Sequence, residues 1–150
     1  MAILEEKHRV RCFDSFLLEE IKHRGVSNMP NNVNTAHTEF LFIPLHQQSH
    51  WSLIVVDVQR ATISYLDPLG IFNEANMKAI TDYLRRAGLS LVRDKQFENS
   101  KKFPTQKNSY DCGVYILEYA RCIASHQRCT QANMKKGRQN IKHSIEEVYL

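Results

Sequence analysis

Two rhythms of apolar positions divide the chain. Three stretches in its middle are nearly continuous in large apolar side chains. They are Phe40-Leu-Phe-Ile-Pro44-Leu45, residues 50–58 and residues 61–67. The last two are rich in β-branched and aromatic residues and predict strands. They are apolar on both alternating faces, so the sheet they form is expected to be covered on both sides. Pro44 lacks a backbone N–H and predicts a strand end or a sheet edge. Elsewhere apolar residues recur at helical spacing. Phe13, Phe16, Leu17 and Ile21 mark a helix over 13–24 with Gly25 at its end. Met77, Ile80, Thr81 and Leu84 mark one over 73–86, capped by Asn73 and ended by Gly88. Ile116, Leu117, Ala120, Ile123 and Ala124 mark one over 112–125, and Met134, Arg138, Ile141, Ile145 and Val148 mark a last helix capped by Thr130. Residues 25–38 are polar and loop-like, and 89–97 can hold a further short strand. The order is helix, three strands, helix, strand, two helices. It predicts the α+β class: a small mixed or antiparallel central sheet flanked by helices.

The hairpin places two polar residues. With Gln59-Arg60 at its tip and a symmetric loop, paired residue numbers sum to 119 and Ser52 faces Asp67. His50 is then the diagonal neighbour of Asp67 on the same face, within reach of a carboxylate that orients an imidazole. A slip of one residue would put them on opposite faces. Asp67 also has a purely structural use, capping the turn at Pro68.

A third polar element starts the 112–125 helix. Asp111 stands at the N-cap position, where a carboxylate can accept from an orphan amide of the first turn. Cys112 follows on that turn, where the helix dipole favours thiolate over thiol. Gly113 leaves room for close approach to the sulfur. Taken alone, a cysteine at a helix start is more often a small buried hydrophobe. The polar run before it, Gln106-Lys-Asn-Ser-Tyr-Asp111, is poor core composition. Cys, His and Asp with a nearby Gln are the components of a thiol protease.

Composition narrows the setting. A chain of 150 residues, 43% hydrophobic with 5 Gly and 4 Pro, supports one globular domain. No apolar run approaches the ~20 residues needed to span a membrane, and the first residues are too short and acidic for a signal peptide. Cys12, Cys112, Cys122 and Cys129 form no CxxC pair and read as reduced thiols of the nucleus or cytoplasm. The net charge of +4 is modest, and basic residues are spread over 7–11, 22–24, 85–86, 101–102 and 135–138. That pattern fits solvated helix faces better than a nucleic-acid patch. His46 lies four residues before His50, but no third ligand accompanies this pair, so no metal is expected.

These motifs resemble the ubiquitin-like-protein-specific (Ulp-type, sentrin/SUMO-specific) cysteine proteases. The matching residues are His50-Trp-Ser-Leu53, Tyr65-Leu-Asp67-Pro-Leu-Gly70, and Gln106 followed by Asn108-Ser-Tyr-Asp-Cys-Gly113, with Thr130, Gln131 and Met134 further on. The resemblance runs from about Phe13 to the C-terminus. It implies a papain-like architecture, with Cys112 as nucleophile, His50 as base and acid, Asp67 as its orienting carboxylate and Gln106 as an oxyanion donor. Trp51 and Gly113 would line the channel for a Gly-Gly tail. The implied partner is a ubiquitin-like modifier, SUMO by default or a neddylation-type modifier, with its conjugates, and no cofactor is implied. The family's opening Trp-Leu-Asn-Asp segment has no counterpart. The chain is therefore expected to be a single domain over 1–150, short at its N-terminus, with Trp51 as one wall of a channel whose other wall is missing or replaced. A catalytically weak modifier-binding module and a related Cys-His-acid acetyltransferase are the alternative functions.

Overall fold

The computed structural model of the chain describes Glu5, residues 9–99 and residues 101–149, with backbone alone at 144 and 147–149. Lys7 and the side chain of Val148 therefore lie outside the described part. The elements are β1 (Val10–Cys12), α1 (Leu17–Arg24), a 3₁₀ turn (Val26–Asn28), β2 (Phe40–Gln47), β3 (His50–Asp57), β4 (Thr62–Leu66), α2 (Glu74–Arg86), β5 (Val92–Arg93), α3 (Lys95–Asn99), α4 (Cys112–Ala124) and α5 (Gln131–Tyr149). The strands form one mixed sheet in the order β1-β2-β3-β4-β5. β2, β3 and β4 are antiparallel neighbours, and β1 and β5 join their neighbours in parallel. This is the predicted α+β class.

The sheet is covered on both faces, as its two-sided apolar strands require. Leu41, Ile43, Leu45, Ile54, Val56 and Ile63 point to one face, against Leu18 and Ile21 of α1 and Met77, Ile80 and Leu84 of α2. Phe40, Phe42, Leu53, Val55 and Leu66 point to the other, against Ile116, Tyr119, Ala120 and Ile123 of α4. Each fully buried Leu, Ile or Phe stabilises the fold by about 1.5–3 kcal/mol. The two layers hold the strand ends firmly.

Several expectations need correction. Pro44 ends nothing: β2 continues to Gln47 with Pro44 paired to Leu53. The edge reading holds instead. β1 pairs β2 only from Phe40 to Phe42, and the Phe42 carbonyl accepts from Phe13 on that side. Pro44, two residues on, turns its imide nitrogen to the same side, where no ladder bond is lost. The first helix begins at Leu17, not Phe13. Asp14 makes a local turn, its carboxylate accepting from the Phe16 amide at 2.8 Å, and Phe16 is left 68% exposed. β1 was not predicted, being only three residues long. The segment 89–97 holds two strand residues and then α3, because the Asp94 carboxylate accepts from the Phe97 amide at 2.9 Å and starts a helix. Among the described residues of the expected α5 stripe, only Met134 is buried. Ile145 is exposed, and the Arg138 side chain is 68% exposed. The caps at Asn73 and Thr130 are as expected.

Candidate active site

The hairpin register is the symmetric one. Leu53 pairs with Leu66, Ile54 with Tyr65 and Asp57 with Thr62. β3 starts at His50, and Asp67 is the first residue beyond β4. The diagonal contact follows: His50 Nε2 lies 3.0 and 2.9 Å from the two carboxylate oxygens of Asp67. Asp67 also serves the turn, accepting from the Leu69 amide at 2.7 Å through Oδ1, and its carbonyl accepts from Gly70 N–H. The two uses are compatible and mutually supporting, since the turn fixes the carboxylate that fixes the imidazole. With Nε2 engaged, Nδ1 is the nitrogen left for proton transfer. Beneath this pair the Ser52 and Tyr65 hydroxyls bond at 2.9 Å. Burial pushes the Tyr65 hydroxyl pKa up, which keeps it a neutral floor.

Trp51 alternates to the opposite face. Its ring stacks on His46, its cross-strand partner, at 4.4 Å between centroids. Among the described residues no three His, Cys, Asp or Glu side chains are grouped to hold a metal ion. The indole also lies over the start of α4, where a Cβ added at Gly113 would stand 3.6 Å from Trp51 Cδ1. Such a Cβ would be in ordinary van der Waals contact with the indole, so Trp51 lies directly against Gly113.

Cys112 is the first residue of α4 and is buried. Asp111 is at the N-cap but does not cap, which overturns the expected role. Its backbone lies at φ −96°, ψ 7°, and its side chain accepts nothing from the helix. The carboxylate turns instead to Asn108 Nδ2 at 2.7 Å and Arg138 Nη2 at 2.8 Å. Asn108 first, and Arg138 second, hold its pKa below the ordinary value. The helix's first amide bond to this region is Tyr115 N–H to the Asp111 carbonyl at 3.0 Å. The amides of Cys112, Gly113 and Val114 have no partner among the described residues.

Gln106 is buried, and its amide N–H donates to the Pro68 carbonyl at 2.7 Å, tying this loop to the turn after Asp67. Its side-chain Nε2 donates to the Asn108 carbonyl, while Oε1 is buried without a partner. A carbonyl can only accept, so Asn108 decides which end of the Gln106 amide faces it. The NH₂ group keeps a second hydrogen to donate. The loop is pinned further by Phe103, which packs on Phe97 and Tyr119 at 5.0 and 5.4 Å between centroids. The Tyr119 hydroxyl donates to the Pro104 carbonyl.

The fold thus joins His50 directly to Asp67, ties Gln106 to the adjacent turn, and sets Trp51 against Gly113, beside Cys112. The other thiols stand apart. Burial, reinforced by Glu5, pushes Cys12 up to about 12. Cys122 and Cys129 are free thiols, and the hydrogen bond between them lowers the pKa of the first and, with burial, raises that of the second. Cys122 is ten residues along α4 from Cys112, about 15 Å of helix. Sequence reasoning missed Arg138 as a partner of this site and Asn108 as its organiser. Arg138 had a signal of a kind, as the one charged residue in the α5 stripe.

Comparison with known proteins gives a consistent picture. The model of the Ulp1 protease family, C-terminal catalytic domain, matches residues 1–150. Mouse sentrin-specific protease 3 is 34% identical over 143 residues, covering 89% of this chain and 25% of that protein. The chain spans about a quarter of the length of such curated relatives. Among solved structures, the SUMO protease Ulp1 with its catalytic cysteine oxidised to a sulfenic acid superposes with a TM-score of 0.76 at 20% identity, covering 95% of this chain and 71% of that one. The C-terminal Ulp1 protease domain in complex with Smt3, the yeast ortholog of SUMO, gives 0.67 at 20% identity, covering 85% and 62%. At that identity the likeness establishes the fold. No helix among the described residues is long and apolar enough to cross a membrane.

Proposed function

Since the chain belongs to the Ulp1 protease family, we propose that it is a cysteine peptidase that cleaves after the C-terminal Gly-Gly of a ubiquitin-like modifier, in precursors or in lysine conjugates. The observation that carries this is the His50–Asp67 pair at 2.9–3.0 Å, at the strand mouth where Trp51 meets Gly113. SUMO is the modifier proposed, because the relatives are sentrin-specific proteases and the solved neighbours are SUMO proteases. The compartments proposed are the nucleus and the cytoplasm.

The chemistry follows from the named atoms. Cys112 Sγ attacks the carbonyl carbon of the terminal glycine, and its proton passes to His50 Nδ1. The carbonyl oxygen becomes an oxyanion, held by Gln106 Nε2–H and the Cys112 amide. The imidazolium, stabilised through Nε2 by Asp67, gives its proton to the departing lysine amine as the C–N bond breaks. A thioester on Cys112 remains. Water, deprotonated by His50, attacks it, and collapse expels the sulfur and frees the modifier's carboxylate. A tail of two glycines offers no side chain to grip, so its placement depends on walls such as Trp51.

The test is cleavage of a SUMO precursor extended beyond Gly-Gly, read by product mass. Release of mature SUMO by the chain, with none from Cys112→Ala, is the expected result. Transfer of an acetyl group instead, or binding of SUMO without cleavage, would reject it.

A further inference from the structure

The unexpected feature of the site is an acidic residue next to the nucleophile that declines its cap. Asp111 stands where an N-cap carboxylate normally accepts from the second or third amide of the helix, here Gly113 or Val114. Were it to do so, a negative oxygen would lie on the first turn of α4, against the Cys112 amide. That is where the proposed reaction develops an oxyanion, and like charges there oppose the transition state. Both carboxylate oxygens are instead occupied away from the helix, one by Asn108 Nδ2 at 2.7 Å and the other by Arg138 Nη2 at 2.8 Å. Asn108 is itself fixed by the loop, its Oδ1 accepting from the amides of Tyr110 and Asp111 at 3.1 and 3.0 Å. Its carbonyl meanwhile takes the Gln106 amide.

Arg138 reaches the site because α5 packs closely on the first two turns of α4. A Cβ at Gly137 would stand 2.5 Å from Val114 Cγ1 and 3.1 Å from Glu118 Cγ. Only a residue without one permits that approach. The guanidinium is two-thirds exposed, and an exposed ion pair adds little stability. Its value must lie in where it holds the carboxylate.

We propose that Arg138 and Asn108 are positioning residues that hold the Asp111 carboxylate off the first turn of α4 and so reserve the amides there for the oxyanion. This rests on the peptidase reading above. It adds a long-range brace from the last helix to the nucleophile loop.

The test combines kinetics with NMR amide exchange on the full chain. In Arg138→Ala, Asp111 keeps only its bond from Asn108, and its other oxygen can swing onto the helix. Exchange of the Gly113 and Val114 amides should slow several-fold, and kcat for SUMO-precursor cleavage should fall about 10- to 100-fold with KM within about twofold. Arg138→Lys should recover most of both. In an Asp111→Ala background, which has no carboxylate to misplace, adding Arg138→Ala should change neither quantity further. Unchanged exchange at those amides, or an equal kcat loss in both backgrounds, would overturn the proposal. If the wild type cleaves no modifier while exchange responds as described, the peptidase reading fails and the positioning role stands.

Discussion

The two sides of the site are built in different ways. His50 and Asp67 are 17 residues apart and meet through one hairpin. A symmetric turn and a two-residue period determine their contact, and two apolar layers keep the strands in register. The cysteine side has no such frame. Gln106 and Asp111 lie in a loop without regular structure that leads to Cys112 at the start of α4, anchored by Pro68, by Tyr119 and by Arg138, 27 residues downstream of Asp111. The base side is thus a product of local pairing. The nucleophile side is a product of tertiary contacts, and its details depend on residues whose purpose shows only when the chain is folded.

Substitutions on each side should sharpen this contrast. The largest effect belongs to the nucleophile itself: Cys112→Ser should abolish cleavage of a SUMO precursor while preserving SUMO binding, measured by calorimetry. Cys122→Ser should keep near wild-type turnover. A reversed outcome would move the reaction to the other end of α4. On the base side, Asp67→Asn should lower kcat by about 10⁴-fold with little change in Tm, because an amide oxygen can still accept from Leu69. An unchanged kcat would mean that Asp67 serves only its turn. Gln106→Ala should cost about 10²–10³ in kcat, with KM nearly constant.

How much of this was legible follows the same division. The hairpin register, both faces of the sheet, the α2 and α5 caps and the cysteine at a helix start were readable, because strand alternation and cap chemistry act over a few residues. The start of α1 was misplaced because a local Asp14 turn outcompeted the apolar spacing of Phe13 and Phe16. The segment after Val92 was misread as strand because Asp94 caps a helix. Asp111 looked like a cap by position and is not one, since Asn108 and Arg138 compete for its carboxylate. No periodicity announces that competition.

Smaller effects test the packing behind the nucleophile. Gly137→Ala would gain about 1 kcal/mol from helix propensity alone. The 2.5 Å approach to Val114 should reverse that sign, because overpacking costs about 1–3 kcal/mol, leaving a net loss of up to about 2 kcal/mol, measured by urea unfolding. A more stable variant would show that α5 can retreat freely. The smallest effect is acid-dependent. The folded pKa of Asp111 is depressed by Asn108 and then Arg138. Its contribution to stability is present above the unfolded value, near pH 4, and is lost as pH falls through the folded one. The Tm difference between wild type and Arg138→Ala should therefore shrink below about pH 4. It should also shrink in about 1 M salt, where an exposed pair is screened.

The proposed cleavage turns on Cys112, served by His50 and Asp67, being the thiol presented to a Gly-Gly tail. The most direct measurement is reaction of the chain with SUMO carrying a C-terminal electrophile in place of its last glycine, followed by peptide mapping of the adduct. The expected product is one covalent SUMO per chain, attached at Cys112 and absent from Cys112→Ser. Attachment at Cys12, Cys122 or Cys129, or no adduct from the wild type while a small alkylating reagent labels Cys112, would contradict it.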